Sequence, residues 1–350
     1  MFSPSYTITN KINNQLSQIA EVKSMVERSQ LLPAREAFLR RTAIIKMAHS
    51  STSIEGNELE EYQVEKLVER IKIIAPPDQI KEVENYLAAL KFIDGLDKSK
   101  KNFDSKDILS VQAQVIDGLV ALEKIGAFRI GQVYIVNVLP DGQEKILYTP
   151  PTYSQVPKLI EQLLDWLRSN PDIHPIIRAG IFHYQFETIH PFSDGNGRTG
   201  RLLSLLHLYQ SGWNFKRVLV LEDFYNQDRK NYYLNLQTGK TYQDRQRADL
   251  TSWLEYYVEG FLEEALKVKD SIINISVVKS GTASQNILDI DELKIVDFAI
   301  SIGRITSSDV EDILHIPKRT AQFKLKKLEE KRVLMQIEAG PKSYYEVNKK

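Results

Sequence analysis

His190-Pro191-Phe192-Ser193-Asp194-Gly195-Asn196-Gly197-Arg198-Thr199-Gly200-Arg201 is a polar, glycine-bearing turn between two apolar stretches. Upstream, Pro175 opens a helical pattern that reaches about Ile189; downstream, the segment from Thr199 to Tyr209 is apolar on one face. The turn therefore joins two helices. Gly195 and Gly197 flank Asn196, so successive backbone N–H groups can converge on one point, and the helix that follows adds the positive end of its dipole. That is a seat for phosphate. Arg198 and Arg201 are three residues apart, which on a first helical turn sets two guanidinium forks on neighbouring sides of the seat. Asp194 offers a hard oxygen to Mg²⁺, an ion that enters sites through one or two carboxylates plus substrate phosphates. His190 is the one group in the stretch that titrates near neutrality, so it can accept a proton from an attacking hydroxyl. Each residue alone fits a solvated interhelical loop; together they fit phosphoryl-type transfer from a nucleotide. No Gly-Lys-Ser/Thr follows the glycines, so the turn is not a Walker A loop.

The rest of the chain bounds this reading. At 350 residues and 40.2 kDa it has room for two or three domains. Its 42% apolar and 26% charged composition supports real cores and rules out disorder as the dominant state. Forty-six basic and 46 acidic residues cancel, so no chain-wide field favours nucleic acid or an anionic membrane. With no cysteine there is no disulfide framework, thiolate zinc site or cysteine nucleophile. The N-terminal MFSPSYTITNKINNQL lacks a leader pattern, and no apolar run approaches the length of a membrane span. A cytoplasmic protein with no membrane partner is expected.

The first strong helical pattern opens at Pro33 and should stop near Gly56, with Asn57 and Glu60 as the capping box of the next helix. Further helices are predicted after Pro76-Pro77, through Tyr86 to Leu96 and Ile108 to Leu122, then from a cap at Ser154, and from Asp249 through Leu250 to Leu266. Gln132 to Tyr148, rich in Val, Ile and Tyr around Pro140-Asp141-Gly142, reads as a β-hairpin. Lys269 to Asn286 reads as a linker. Beyond it, three short helices (Asp291 to Ser301, Ser307 to Leu314, Pro317 to Glu330) and two strands within Val333 to Val347, around Gly340 and Pro341, give the order of a winged helix-turn-helix. The predicted fold is mainly α.

The 190–201 stretch resembles the signature of the Fic (filamentation induced by cAMP) family, His-x-Phe-x-Asp/Glu-Gly-Asn-Gly-Arg-x-x-Arg, at every defined position. The resemblance implies a Fic-type helical core with a hairpin flap and an adenylyltransferase that moves AMP from ATP to a protein hydroxyl, releasing pyrophosphate. By that pattern His190 deprotonates the target Ser, Thr or Tyr, and Asp194 holds Mg²⁺. Asn196 contacts phosphate, Gly195 and Gly197 give N–H groups, Arg198 binds the β-phosphate region and Arg201 the γ-phosphate, with Thr199 and Gly200 completing the nucleotide site. Phe192 anchors the loop. The family's kinase-like branch carries lysine where this chain has Gly197, which favours nucleotide transfer; the motif leaves phosphocholine transfer and other nucleotides open.

Ser51-Thr52-Ser53-Ile54-Glu55-Gly56 is similar to the family's inhibitory motif, Ser/Thr-x-x-x-Glu-Gly/Asn. A carboxylate near a helix C-terminus faces the negative end of the dipole and calls for a cationic partner. By resemblance that partner is Arg201, and the pairing displaces the ATP γ-phosphate; Ser51 opens the motif. The resemblance also makes the hairpin a flap onto which a target segment adds as a strand, with Ile135, Val136, Asn137 and Val138 nearest the nucleotide. Tyr232 and Tyr233 resemble a tyrosine pair lining the adenine pocket, although aromatic residues at helical spacing commonly just pack. His183 and His207 read as packing residues, since no third ligand supports zinc.

The expected layout is residues 1–84 as regulatory helices, 85–268 as the Fic core, 269–286 as linker and 287–350 as winged helix. Seven basic residues after Pro317 (Lys318, Arg319, Lys324, Lys326, Lys327, Lys331, Arg332) against Glu329 and Glu330 make DNA binding a rival reading, while Phe323, Leu325 and Leu328 require much of that helix to pack. Implied partners are ATP and a protein substrate, with the chain itself among the candidates, and a homodimer is left open. Two alternatives stand beside adenylyl transfer: a DNA-binding regulator with self-directed Fic activity, and removal of AMP by the same residues.

Overall fold

The structure is a computed structural model, and it describes residues 2–29, 31, 33–99, 102–138, 142–276, 288–337 and 343–348. The chain groups into two compact units, one made of Met1–Lys23 with Thr42–Ala265 and the other of Ser24–Arg41 with Leu266–Lys350.

The first unit is built around two helices, α7 (Pro175–Ile189) and α8 (Asn196–Gln210), joined by the signature turn. Ile176, Ile177, Ala179, Ile181, Phe182, Tyr184, Phe186 and Ile189 are all buried on α7, and nearly every residue of α8 from Thr199 to Tyr209 is buried. Helices that are apolar on all sides belong at the centre of a core. The two pack on each other; α4 (Pro77–Lys98) and α5 (Ser105–Ile116) flank α8, and α6 (Val156–Ser169) lies on α7. α6 turns in the stripe Ile160, Leu163, Leu164 and Leu167, as its periodicity predicts. The long helix α12 (Thr251–Ser276) follows the side-chain bond from Asp249 to the Thr251 N–H, and its Trp253 donates Nε1–H to the Gly180 carbonyl at 2.8 Å.

The described residues also show where local signals mislead. α1 (Asn10–Arg28) escapes a periodicity search because its buried stripe, Ile12, Ile19, Val22 and Val26, is narrow and set in polar sequence. α2 (Pro33–Ile54) ends just before Gly56, as expected, but the capping box of α3 (Glu61–Val68) is Glu60 with Gln63, not Asn57 with Glu60. Asn57 instead sends its amide to Glu82 and the Gln79 carbonyl. Ser154 caps nothing: a short 3₁₀ turn, Tyr153–Gln155, leads into α6. α12 continues eight residues into the expected linker, to Ser276, and residues 277–287 lie outside the described part.

The hairpin is present as β1 (Ile135–Val138) and β2 (Glu144–Tyr148), antiparallel, with Val136 opposite Ile146 and a bulge between Ile135 and Val136. Gly142 adopts φ +81° at its turn; Pro140 and Asp141 lie outside the described residues. Three short helices follow α8: α9 (Leu221–Gln227), α10 (Arg229–Leu236) and α11 (Tyr242–Gln246).

The second unit carries α13 (Ile290–Ile302), α14 (Ser307–Leu314) and α15 (Lys318–Glu330), then an antiparallel pair, β3 (Leu334–Gln336) and β4 (Tyr345–Val347). Gly340 and Pro341 lie outside the described residues. Ile295, Val296, Val310, Ala321, Leu325, Leu328 and Val333 form its core. Phe323 does not join them; it is 68% exposed. Three of the seven basic residues are answered within the unit: Lys324 pairs with Asp291 at 2.9 Å, and Lys327 and Lys331 reach Glu292 at 2.8 and 2.6 Å. No helix among the described residues is long and apolar enough to cross a membrane.

Burial works to raise the Glu292 carboxyl, yet the bonds from Lys327 and Lys331 pull it down to about 2. A depressed carboxyl stabilises the fold above its unfolded value and loses that contribution as pH falls through the folded one. Stability of this unit should therefore decline between about pH 4.5 and 2, and Glu292→Gln should lower its unfolding midpoint at pH 7 and remove that decline. Chemical denaturation monitored across this pH range checks it; parallel curves for the two proteins contradict it.

Candidate active site

His190 ends α7 in the left-handed region (φ 49°), its N–H still bonded to the Phe186 carbonyl at 2.9 Å. A histidine there is uncommon, and Pro191 bars any further helix. Phe192 is fully buried and stacks on Phe128 at 5.7 Å, fixing the loop to the core. Asn196 staples the turn from inside: its Oδ1 accepts from the Phe192 N–H and its Nδ2 donates to the Phe192 carbonyl, both at 2.9 Å. The amide side chain is thus committed to the loop, and what Asn196 can offer an anion is its backbone N–H. Gly195, at φ +79°, is the N-cap of α8, and a Cβ there would meet Ile116 at 2.7 Å. No side chain caps this helix, so its first-turn N–H groups are free to bind an anion.

Both signature arginines already hold carboxylates. Arg201, 2% exposed in its side chain, donates Nη2–H to Glu55 Oε1 at 2.7 Å and to the Ser51 carbonyl at 2.8 Å, and Nε–H to Ser51 Oγ at 2.9 Å. The cationic partner that Glu55 requires at the end of α2 is therefore Arg201, which also meets the negative end of that helix directly. Burial alone would lower the Arg201 guanidinium; Glu55 more than reverses it. Gly197 makes room for the pair, since a Cβ at that position would lie 2.2 Å from Glu55 Oε1. Arg198 pairs with Glu82 on α4 and with Asp194 at 3.3 Å. Glu82 also accepts from Asn57 at 2.8 Å, two residues beyond Glu55. Glu82 carries no local signal in the sequence; only the packing of α4 on α8 brings it here.

Burial lowers the His190 imidazole to about 4; the Arg129 charge adds to this, Glu55 and a bond to the Glu187 backbone oppose it, and Arg245 adds a smaller push. The ring is neutral at neutral pH, the form a general base needs. Glu187, one turn earlier on α7, is pushed by burial up to about 7, with Arg201 opposing and Glu55 adding, and its Oε1 has no hydrogen-bond partner among the described residues.

The other sequence candidates separate. Tyr232 is 1% exposed, its hydroxyl on His183 at 2.8 Å and its ring 4.5 Å from Tyr225, so it lies in the core. Tyr233 is 41% exposed and donates to the Ile54 carbonyl, beside Glu55. Thr199 is fully buried and its N–H is spent on Gly195; Gly200 turns its open side to Glu187 and Phe186 on α7. The hairpin carrying Ile135, Val136, Asn137 and Val138 is rooted at the site through Tyr148, whose hydroxyl donates to the Thr188 carbonyl, and through Thr149, which pairs with Lys240 and Tyr242. His183 packs against Trp253 at 5.7 Å, as expected of a core histidine. Among the described residues no three His, Asp or Glu side chains converge on a metal position. Asp194 keeps half of its side chain exposed and uses only Oδ1, on the Gly195 N–H and Arg198. One half-open carboxylate beside a phosphate seat fits Mg²⁺, which keeps waters and leans on substrate phosphates, better than it fits zinc.

Residues 102–208 match the Fic/DOC family. The chain is 28% identical over 287 residues to the protein adenylyltransferase fic-1 of Caenorhabditis elegans, covering 80% of this chain and 50% of that one. It is 32% identical over 208 residues to the protein adenylyltransferase Fic of Nematostella vectensis, covering 58% and 44%. The chain spans about half the length of the curated relatives it matches. A crystal structure of a Fic family protein from Desulfovibrio desulfuricans G20 superposes over 100% of this chain and 99% of that one, with a TM-score of 0.64 at 26% identity. The solved fic-1 fragment of C. elegans gives 0.60 at 25% identity, over 77% and 73%. With the signature turn set between two core helices and its arginines at the start of α8, residues 102–208 of this chain carry a match to the Fic/DOC family within a fold similar to solved Fic proteins.

Proposed function

We propose that this chain is a protein adenylyltransferase held in check by its own Glu55. The observation that carries the reading is a neutral, half-buried His190 immediately before an uncapped helix N-terminus with two arginines on its first turns. ATP phosphates bind the N–H groups of Asn196 and Gly197, with Arg198 on the β-phosphate and Arg201 on the γ-phosphate. A target Ser, Thr or Tyr lies along β1 and gives its hydroxyl proton to His190 as its oxygen attacks the α-phosphorus. The bond to the β-phosphate oxygen breaks and pyrophosphate leaves. Asp194 holds Mg²⁺, which when bound neutralises charge on the phosphates. Tyr233 is the member of the tyrosine pair open to the adenine.

Arg201 cannot hold Glu55 and a γ-phosphate in the same way at once, so the pairing with Glu55 opposes productive ATP binding. The winged-helix reading of the tail supports a partner-binding role, and the turning of Lys324, Lys327 and Lys331 onto its own acids weakens the case for DNA.

With labelled ATP in lysate, Glu55→Gly should raise AMP transfer by about tenfold or more and His190→Ala should abolish it, since the first frees a phosphate ligand and the second removes the base. Parallel reactions with GTP, CTP and UTP identify the nucleotide. Equal labelling by wild type and Glu55→Gly contradicts the inhibitory role. A histidine with an ordinary value would lose base function below about pH 6.5. Because His190 stays neutral down to about 4, kcat/KM of the Glu55→Gly protein should vary less than about twofold between pH 6 and 8. An acid limb near 6.5 contradicts this.

A further inference from the structure

Phe128-Arg129 precedes the hairpin and grips three successive signature residues. The Phe128 ring stacks on Phe192, the Arg129 N–H donates to the Pro191 carbonyl at 3.0 Å, and Arg129 Nε–H donates to the His190 carbonyl at 2.9 Å. The same guanidinium sends Nη1–H to the Gly131 carbonyl at 3.1 Å and Nη2–H to the Pro151 carbonyl. Gly131 lies just before β1 and Pro151 just after β2, so they are the two feet of the hairpin. Arg129 is 5% exposed, and every side-chain bond it makes among the described residues goes to a backbone carbonyl, none to a carboxylate.

A buried guanidinium without a counter-ion is unfavourable, and burial lowers its own pKa accordingly. A core that needed only packing here would be better served by an apolar side chain. What Arg129 supplies instead is geometry: a rigid planar fork whose donors reach three carbonyls in three different segments, which the single ammonium of lysine cannot match.

We propose that Arg129 is a positioning residue that locks the β1–β2 flap to the His190 loop, so that a target segment lying on β1 and the general base are held in one register. This rests on the adenylyl-transfer reading of the site. The hairpin has a second, independent root: the Tyr148 hydroxyl donates to the carbonyl of Thr188, two residues before His190 on α7, and its ring lies under the Arg245 guanidinium. Loss of Arg129 therefore leaves the flap attached while freeing it to shift relative to His190.

The charge of Arg129 acts on the same histidine. The groups that bear on the His190 ring are Arg129 and Arg245, which disfavour the imidazolium, and Glu55 and the Glu187 backbone, which favour it. Arg129→Met removes both fork and charge, whereas Arg129→Lys keeps the charge and loses the fork. The pair of variants separates positioning from electrostatics.

The test uses the full chain carrying Glu55→Gly. Hydrogen exchange at the amides of β1 and β2 should quicken by about tenfold in both variants, since the tether that holds the hairpin closed is lost. Labelled-AMP transfer should fall at least about tenfold in both, while binding of a non-hydrolysable ATP analogue with Mg²⁺ changes less than about threefold. In an NMR titration, His190 should move toward its ordinary value in Arg129→Met by about half a unit or more and stay in place in Arg129→Lys. Unchanged exchange in the hairpin with an unmoved titration overturns the proposal. Loss of analogue binding in step with thermal stability overturns it too, because that pattern belongs to a merely structural residue. If the Glu55→Gly parent transfers no AMP while exchange and titration respond as stated, adenylyl transfer is what fails and the positioning role stands.

Discussion

The guanidinium of Arg201 sits 2% exposed in the middle of a helical core, and the arrangement around it follows from the cost of keeping a charge there. Breaking a buried ion pair costs about 3–5 kcal/mol, because the remaining charge has neither water nor partner. Something anionic must therefore face Arg201 at all times. In the resting chain Glu55 does so, supported by the hydroxyl and carbonyl of Ser51 at the end of α2. During catalysis, on the proposed reading, a nucleotide phosphate takes that place. On that reading, the requirement that suits the arginine to a phosphate also makes it the handle by which Glu55 controls the site. Glu82 repeats the pattern on Arg198, and Asn57 joins it to the segment just past Glu55.

Around this centre the fold keeps three things in register. α7 and α8 set His190 and the helix N-terminus at the two ends of one short turn. Asn196 closes that turn on the Phe192 backbone, and Arg129 ties it to both feet of the hairpin. These contacts use backbone carbonyls and amides, so they do not depend on the side chains of the hairpin. The charges are divided accordingly: the arginines bonded to carboxylates lie where the proposed reading puts phosphate, and the arginine bonded to carbonyls lies beside His190.

Much of this was legible from residue types and spacing. The turn between two apolar helices, the need of Glu55 for a cationic partner and the hairpin over Gln132 to Tyr148 can each be read from local patterns, because backbone conformation and dipole direction fix them; that the partner is Arg201 came from the resemblance. The packing of Leu325 and Leu328 and the core role of His183 were legible for the same reason. What sequence could not give depends on contacts between distant segments. Glu82 is one acid among many until α4 is laid against α8, and Arg129 is one basic residue until the hairpin's feet come together. Tyr232 and Tyr233 are adjacent and look equivalent, yet one faces the core and the other the site, a difference set by the roll of a two-turn helix. Phe323 shows the converse: an aromatic on a basic helix that stays exposed, outside the core of its unit.

On the proposed reading, Glu55 and a terminal nucleotide phosphate compete for Arg201. This competition is tested most directly by the affinities of AMP, ADP and a non-hydrolysable ATP analogue, each with Mg²⁺, for the wild type and for Glu55→Gln, measured by calorimetry. The gain should grow with the phosphate chain, negligible for AMP and about tenfold or more for the triphosphate, in line with one charge-assisted contact recovered. An equal gain for all three nucleotides, or none for the triphosphate, contradicts it.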